Sequence, residues 1–309
     1  MSSSHILAVR DVVKTFGTLR AVDGVSFSVR RGTITGLLGR NGAGKTTTIR
    51  MITGIFMPDA GSIDWLPGSN GDERFRDRIG YLPEERGLYK QMKIVEHLLF
   101  LAEIKGRRPA EIRPLIDKWL QRFELTEKRD AKIEELSKGN QQKVQLIGTL
   151  LHDPELIILD EPQSGLDPVN MVLVRNLLRE LKAEGKTILL STHMMAEAER
   201  MADDIVLIHR GQVVLSGTLD EVRSSFGKNT LHIDYDGDGS FLRELPQVKR
   251  AAIVNNAAEL ALADGADPQR ILEASLGRLR IRRFELATPS LEQIFIEKVG
   301  TESLSEATQ

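Results

Sequence analysis

At 309 residues, with a hydrophobic fraction of 41% and a formal net charge of −2, the chain has a soluble globular composition and enough material for two domains. The near balance of charge argues against a protein that coats nucleic acid, and no nucleic-acid partner is expected. There are no cysteines, which excludes disulfides and thiolate metal sites. The opening "MSSSHILAVR" lacks a basic start followed by an apolar run, so no secretion signal is expected. The longest apolar runs, such as "LLFLA" from Leu98 to Ala102, fall far short of the ~20 residues of a membrane span. The expectation is a cytosolic protein that reaches a membrane only through a partner.

In chain order, "ILAV" and "VSFSV" read as short strands, the second alternating with period two. "TITGLLG" is a buried strand that runs into a glycine loop, and Lys45 to Ile55 continues as a helix. "IGYLPEERGLYK" is a strand end followed by a loop. From Lys93 to Leu125 the pattern is amphipathic helix, broken at "KGRRP", with Pro114 predicting a late start or a kink in the second helix. Lys138 to Leu151 is a further helix. "ELIILDEP" and "TILLSTH" are buried strands, and "DIVLIHRGQVVLSG" is a hairpin. Strands alternating with helices predict an α/β fold with a largely parallel sheet, and the stretch without strand signals, about 85–151, reads as a helical insertion.

The chemistry concentrates in a few places. "GRNGAGKT", Gly39 to Thr46, matches G-x-x-x-x-G-K-[ST] between a strand and a helix. Gly42 and Gly44 let backbone N–H groups turn inward around phosphates, Lys45 brings a point charge to the β- and γ-phosphates, and the Thr46 hydroxyl suits Mg²⁺. "LIILDEP" ends a buried strand in two acids, a costly arrangement unless their charge is offset. Mg²⁺ does so for Asp160, and a water awaiting activation gives Glu161 work as a general base. His193 follows another strand, from where it can reach a γ-phosphate. "ELSKGNQQKV" opens a helix with Ser137 as N-cap, Gly139 for close approach and no acid in the first turn, which suits an anion.

These motifs, in this order from about Ile6 to Phe226, closely resemble the ATP-binding-cassette (ABC) family. The resemblance implies an α/β ATPase core with a largely parallel sheet, an antiparallel β portion and a helical subdomain. By position, the nucleotide would be held by Gly39, Asn41, Gly42, Ala43, Gly44, Lys45, Thr46 and Thr47. "LSKGN" would be the signature sequence, with Ser137, Lys138 and Gly139 at the nucleotide. "SGLD", Ser164 to Asp167, would be a dimer-contacting loop, His193 the switch histidine, and Phe16 of "VVKTFG" the aromatic that stacks on adenine. The family pairs two cassettes head to tail, each ATP closed between one phosphate loop and the other chain's signature helix. Two departures stand out: Lys138 and Asn140 replace a glycine and a glutamine of the usual signature. In "YLPEE", Glu84 stands where glutamine is common, so a carboxylate is offered to the Mg²⁺.

The remainder, 227–302, is expected to be a separate small α/β domain, with "TLHIDY", "AAIVNN", "LALA" and "LRIRRFEL" as strands and "DPQRILEASLG" and "SLEQIFIEKVG" as helices. "DYDGDGS" lacks the spacing and closing glutamate of a calcium loop and reads as a turn. "TPSLEQIFIEKVG" is similar to the end of ATPase subunits of two-component sodium-extrusion and drug-efflux exporters. The tail, 303–309, is expected to be disordered. The resemblance implies an ATPase bound at the inner face of the cell membrane, acting as a homodimer or paired cassette on an integral membrane permease. A soluble ABC ATPase with a non-transport role and a nucleotide-gated scaffold are the alternatives.

Overall fold

The computed structural model describes residues 4–65, 77–85, 87–226, 230–263, 265–287 and 289–306, and its contacts divide the chain into two compact units, Met1–Gly217 and Thr218–Gln309. In the first unit, β1 (His5–Phe16) and β2 (Leu19–Arg30) form an antiparallel pair, extended by β4 (Ala60–Trp65) on the other side of β1. Both leading strands are 12 residues long, well beyond the short apolar runs that announced them, because backbone pairing carries them into polar sequence. β4, "AGSIDW", has no fully buried residue and no clear alternation, which is why the sequence pattern did not disclose it.

A six-stranded sheet of order β5-β6-β7-β3-β8-β9 lies at the centre, built from β3 (Ile34–Leu38), β5 (Ile79–Leu82), β6 (Leu156–Asp160), β7 (Thr187–Thr192), β8 (Asp204–His209) and β9 (Gln212–Thr218). β5, β6, β7, β3 and β8 are mutually parallel, and β3, β6 and β7 are buried along their whole length. A sheet covered on both faces calls for such unbroken apolar runs. β8 and β9 are joined by Arg210 and Gly211, both at positive φ, the pairing that a two-residue hairpin turn requires. One apolar core joins Leu7, Val9, Val22 and Val25 of the antiparallel sheet to Ile158, Leu189 and Val206 of the central sheet, with α1 (Lys45–Ile52) contributing Ile49 and Ile52.

α1 ends at Ile52, earlier than the predicted Ile55. Gly54, at φ 72°, donates to the Met51 carbonyl, and Ile55 N–H donates to the Arg50 carbonyl, a Schellman closure. Between β5 and β6 the described residues hold α2 (Ile94–Ile104), α3 (Pro109–Arg122), two short 3₁₀ turns and α4 (Lys138–Leu150), with no strand. Pro114 neither delays nor ends α3: the helix begins at Pro109, the position where a missing N–H costs nothing, and continues through Pro114. Ile112, Ile116 and Leu120 line its buried face at four-residue spacing. α5 (Pro168–Ala183) and α6 (Met195–Glu199) follow among the described residues of this unit. No helix among the described residues is long and apolar enough to cross a membrane.

His97 on α2 is fully buried, and neither ring nitrogen has a hydrogen-bond partner. Burial lowers its pKa from 6.5 to about 4. The unfolded chain therefore binds a proton below pH 6.5 that the folded chain refuses until about pH 4. Stability is intact above pH 6.5 and falls between those limits, by up to about 3 kcal/mol from this group. His152, also lowered by burial, acts in the same direction. Denaturant unfolding of His97→Leu at several values between pH 7 and pH 4 should show a shallower loss than the parent. Equal slopes would mean that this imidazole is hydrated in solution.

The second unit contains a four-stranded antiparallel sheet of order β11-β12-β10-β13, from β10 (Thr230–Asp236), β11 (Val248–Val254), β12 (Ala257–Leu262) and β13 (Arg280–Ala287). Its own core includes Leu231, Ile233, Tyr235, Leu260 and Ile271, the last from α8 (Pro268–Ser275). In the "DYDGDGS" turn the Asp238 carboxylate accepts from Ser240 N–H at 3.0 Å. The unit starts earlier than 227. α7 (Leu219–Ser225) is capped by Thr218 and Glu221 in a reciprocal box, and the Phe226 ring lies 5.6 Å from the Lys298 ammonium of α9 (Leu291–Glu306). The box is internal to α7, and the Phe226–Lys298 contact ties the end of α7 to α9. Gly227, the expected boundary, lies outside the described residues. α9 also runs past 302 to Glu306, since no glycine or proline follows Gly300 to stop it; residues 307–309 lie outside the described residues.

Candidate active site

Because β3, β5, β6, β7 and β8 are parallel, their C-terminal ends share one edge of the sheet, the edge at which open α/β sheets bind ligands. Leu38 lies opposite Thr192, and Asp160 opposite Ser191, so the loops after β3, β6 and β7 start side by side. Residues distant in the chain thereby meet.

The phosphate loop leaves β3 and enters α1 through Gly44, whose φ is 106°; a Cβ there would lie 2.6 Å from the Ala21 carbonyl oxygen. Only glycine fits. Gly42, at φ 81°, has nothing within 4 Å of a notional Cβ, so the concave side of the loop is open. Asn41, Gly42 and Ala43 line a cavity of about 560 Å³ together with Arg40, His193, His209 and Arg210. Lys45 is buried: its Nζ donates to the Gly39 carbonyl at 2.9 Å and the Arg40 carbonyl at 3.3 Å, and lies 3.5 Å from Glu161 Oε1. Thr47 is half-buried on the first turn of α1.

Thr46 Oγ1 stands 3.3 Å from Asp160 Oδ1 and 3.5 Å from Glu84 Oε2. Three hard oxygen groups, from the first turn of α1, the residues just after β5 and the end of β6, therefore converge. Glu84 is exposed yet faces this cluster. Asp160 is fully buried, and its Oδ2 has no partner. Burial holds its carboxyl above the usual carboxylate range, opposed by hydrogen bonds from Ser191 and Thr46 and reinforced by the Glu161 charge. An orphaned buried carboxylate oxygen beside a hydroxyl and a second carboxylate fits a Mg²⁺ ion, which takes such oxygen ligands.

Glu161 sits at φ 50°, a conformation that non-glycine residues seldom adopt. Its N–H is held by the Ser191 carbonyl and hydroxyl, each at 3.2 Å. Its side chain is buried; Oε2 lies 3.0 Å from His193 Nδ1, and Oε1 has no hydrogen-bond partner. Ser191 also bonds Asp160 through its hydroxyl. Sequence reasoning did not single out Ser191, Arg40, His209 or Arg210. Ser191 stands two residues before His193 on a strand, but only pairing of β7 with β6 reveals its role.

The remaining expected residues stand apart from this cluster. Ser137 caps α4 by accepting from Asn140 N–H at 3.3 Å, and Lys138 beside it is exposed. Gly139 looks towards Leu166 of the "SGLD" loop, 3.8 Å from its notional Cβ. Asp167 of that loop caps α5, accepting from Asn170 N–H at 3.0 Å. Phe16 ends β1 with 42% of its surface exposed, edge-on to Phe56.

Comparison with known proteins accounts for both units. Residues 22–164 match the ABC transporter family, and residues 217–299 match the C-terminal domain of DrrA1-3-like ATP-binding proteins. The chain is 44% identical over 295 residues to the uncharacterized ABC transporter ATP-binding protein YhaQ of Bacillus subtilis, covering 96% of this chain and 99% of that protein. It is 35% identical to the Nod factor export ATP-binding protein I of Ralstonia nicotianae, covering 98% and 96% of the two chains. A solved ATP-binding subunit of an ABC transporter superposes with a TM-score of 0.66 at 38% identity, covering 72% of this chain and 93% of that one. An ABC transporter cassette, MJ1267 in its ADP conformation, superposes with a TM-score of 0.61 at 30% identity, covering 70% and 92%. The phosphate loop, the acids at the end of β6 and these relatives agree: the chain belongs to the ATP-binding proteins of the ABC transporter family and is the ATPase subunit of such a transporter.

Proposed function

We propose that this subunit powers an exporter whose membrane-spanning permease is a separate protein, and that two copies close around two ATP molecules at the inner face of the cell membrane. The meeting of Lys45, Thr46, Asp160, Glu161 and His193 at one sheet edge carries the catalytic part of this reading. Lys45 and the loop N–H groups take the β- and γ-phosphates, Lys45 exchanging its loop carbonyls for phosphate oxygens. Thr46, Asp160 and Glu84 would hold Mg²⁺, which when bound neutralises phosphate charge. Glu161 orients a water and takes its proton as the oxygen bonds to the γ-phosphorus and the bond to ADP breaks. His193 supports Glu161 and the γ-phosphate. Phe16, exposed at the end of β1, stacks on adenine.

Ser137, Lys138 and Gly139 then serve the other copy's ATP. Their helix end is open, and the Ser137 hydroxyl is engaged only within its own cap in the bonds described above. The direction of transport follows the Nod factor export relatives. Selectivity for the cargo lies with the permease. Capturing tagged full-length protein from detergent-solubilised membranes of its own cells should bring down a protein with several membrane spans. A capture that brings down no membrane-spanning protein would favour the non-transport alternative.

A further inference from the structure

Among the described residues, β5 is the end strand of the central sheet and pairs only with β6. Its outward carbonyls thus have no strand to receive them, a condition that usually leaves them to water or to another chain. Here α4 and the residues just after it take them with side chains. His152 Nε2 pairs with the Ile79 carbonyl at 2.9 Å. Thr149 Oγ1, whose nearer acceptor is the Gln145 carbonyl at 3.0 Å, also lies 3.5 Å from the Tyr81 carbonyl. Gln145 Nε2 donates to the Pro83 carbonyl at 3.3 Å and the Glu85 carbonyl at 3.5 Å. Gln145 and Thr149 share one face of α4, His152 follows just beyond its end, and 79, 81 and 83 share one side of an extended chain. All three side chains are buried. Gly80 permits the close approach, since a Cβ there would lie 2.5 Å from the Thr149 carbonyl oxygen.

Gln145 grips the two carbonyls that flank Glu84. The other amide atom, Gln145 Oε1, is buried without a partner, so the described bonding of this side chain goes entirely to those carbonyls. We propose that Gln145 is a positioning residue for Glu84, setting the backbone that brings its carboxylate to Thr46 and thereby the quality of the Mg²⁺ site. This rests on the assignment of Glu84 to that site. The consequence reaches further than one ligand. Ser137 caps the N-terminal end of α4, the end offered to the partner copy's nucleotide. Movement of α4 on engaging that nucleotide is felt, through Gln145, at the metal acid of its own chain's site.

The test is a double-mutant cycle read by Mn²⁺ binding, followed by electron paramagnetic resonance, to full-length protein holding a non-hydrolysable ATP analogue. Gln145→Met keeps the length and loses the donors. It should weaken Mn²⁺ binding roughly tenfold, the loss typical of a removed outer-shell partner, while analogue binding without metal is unchanged. Combined with Glu84→Ala, it should weaken Mn²⁺ no further than Glu84→Ala alone, because its effect passes through that carboxylate. Gln145→Leu serves in the same cycle if the methionine variant folds poorly. Additive losses would overturn the proposal, as would normal Mn²⁺ binding by the Gln145 variants beside a weakened Glu84→Ala. An unaffected Glu84→Ala would instead remove Glu84 from the metal site and the proposal with it.

Discussion

Glu161→Gln should bind ATP as well as the parent and hydrolyse it at least about a hundredfold more slowly. The amide has the same shape and can occupy the same buried place beside His193, with its backbone still held by Ser191. It cannot accept a proton from water, and positioned general bases contribute about 10²–10⁴ in rate. Replacing the charge 3.5 Å from Lys45 Nζ also frees the ammonium for phosphate, so nucleotide affinity should hold or rise. With binding intact and turnover blocked, the protein should collect as an ATP-filled dimer, seen as a doubling of mass by size-exclusion chromatography with light scattering. Steady-state turnover within a few-fold of the parent would take the role of base away from Glu161.

Much of this site could be read from the sequence because its strongest signals are local. The glycine spacing around Lys45 and the two acids closing an apolar run each sit within a few residues, and each is chemically expensive without a ligand. What could not be read depends on sheet order. Ser191 matters because β7 lies beside β6, and Gln145 because α4 runs along β5; neither fact leaves a mark on local periodicity. The same holds for β4, a half-exposed strand formed by pairing with β1, and for α7, whose end meets α9 through Phe226 and Lys298. Glu84 is intermediate. Its departure from the family pattern was visible in "YLPEE", but its approach to Thr46 Oγ1, at 3.5 Å, was not.

The shared active site is the claim on which the rest depends, and it makes the second large prediction. Lys45→Ala removes the charge that receives the phosphates, and Ser137→Arg fills the open end of α4 with a bulky cation. Each variant alone should be inactive, since every site in its homodimer carries the lesion. In a mixed dimer both lesions fall in one composite site, and the other joins an intact phosphate loop to an intact Ser137–Gly139. Random mixing gives about half mixed dimers with one clean site each, so activity should return to roughly a quarter of the parent if the sites act independently. Coupling between sites is set aside by measuring ATP content directly. The decisive measurement is the amount of ATP trapped per mixed dimer when both chains also carry Glu161→Gln, so that bound ATP is not turned over, the dimers being purified through a different tag on each chain. The account predicts one ATP in each mixed dimer and none in either homodimer. Mixed dimers that form and hold no ATP would show that the signature helix does not close the partner's site.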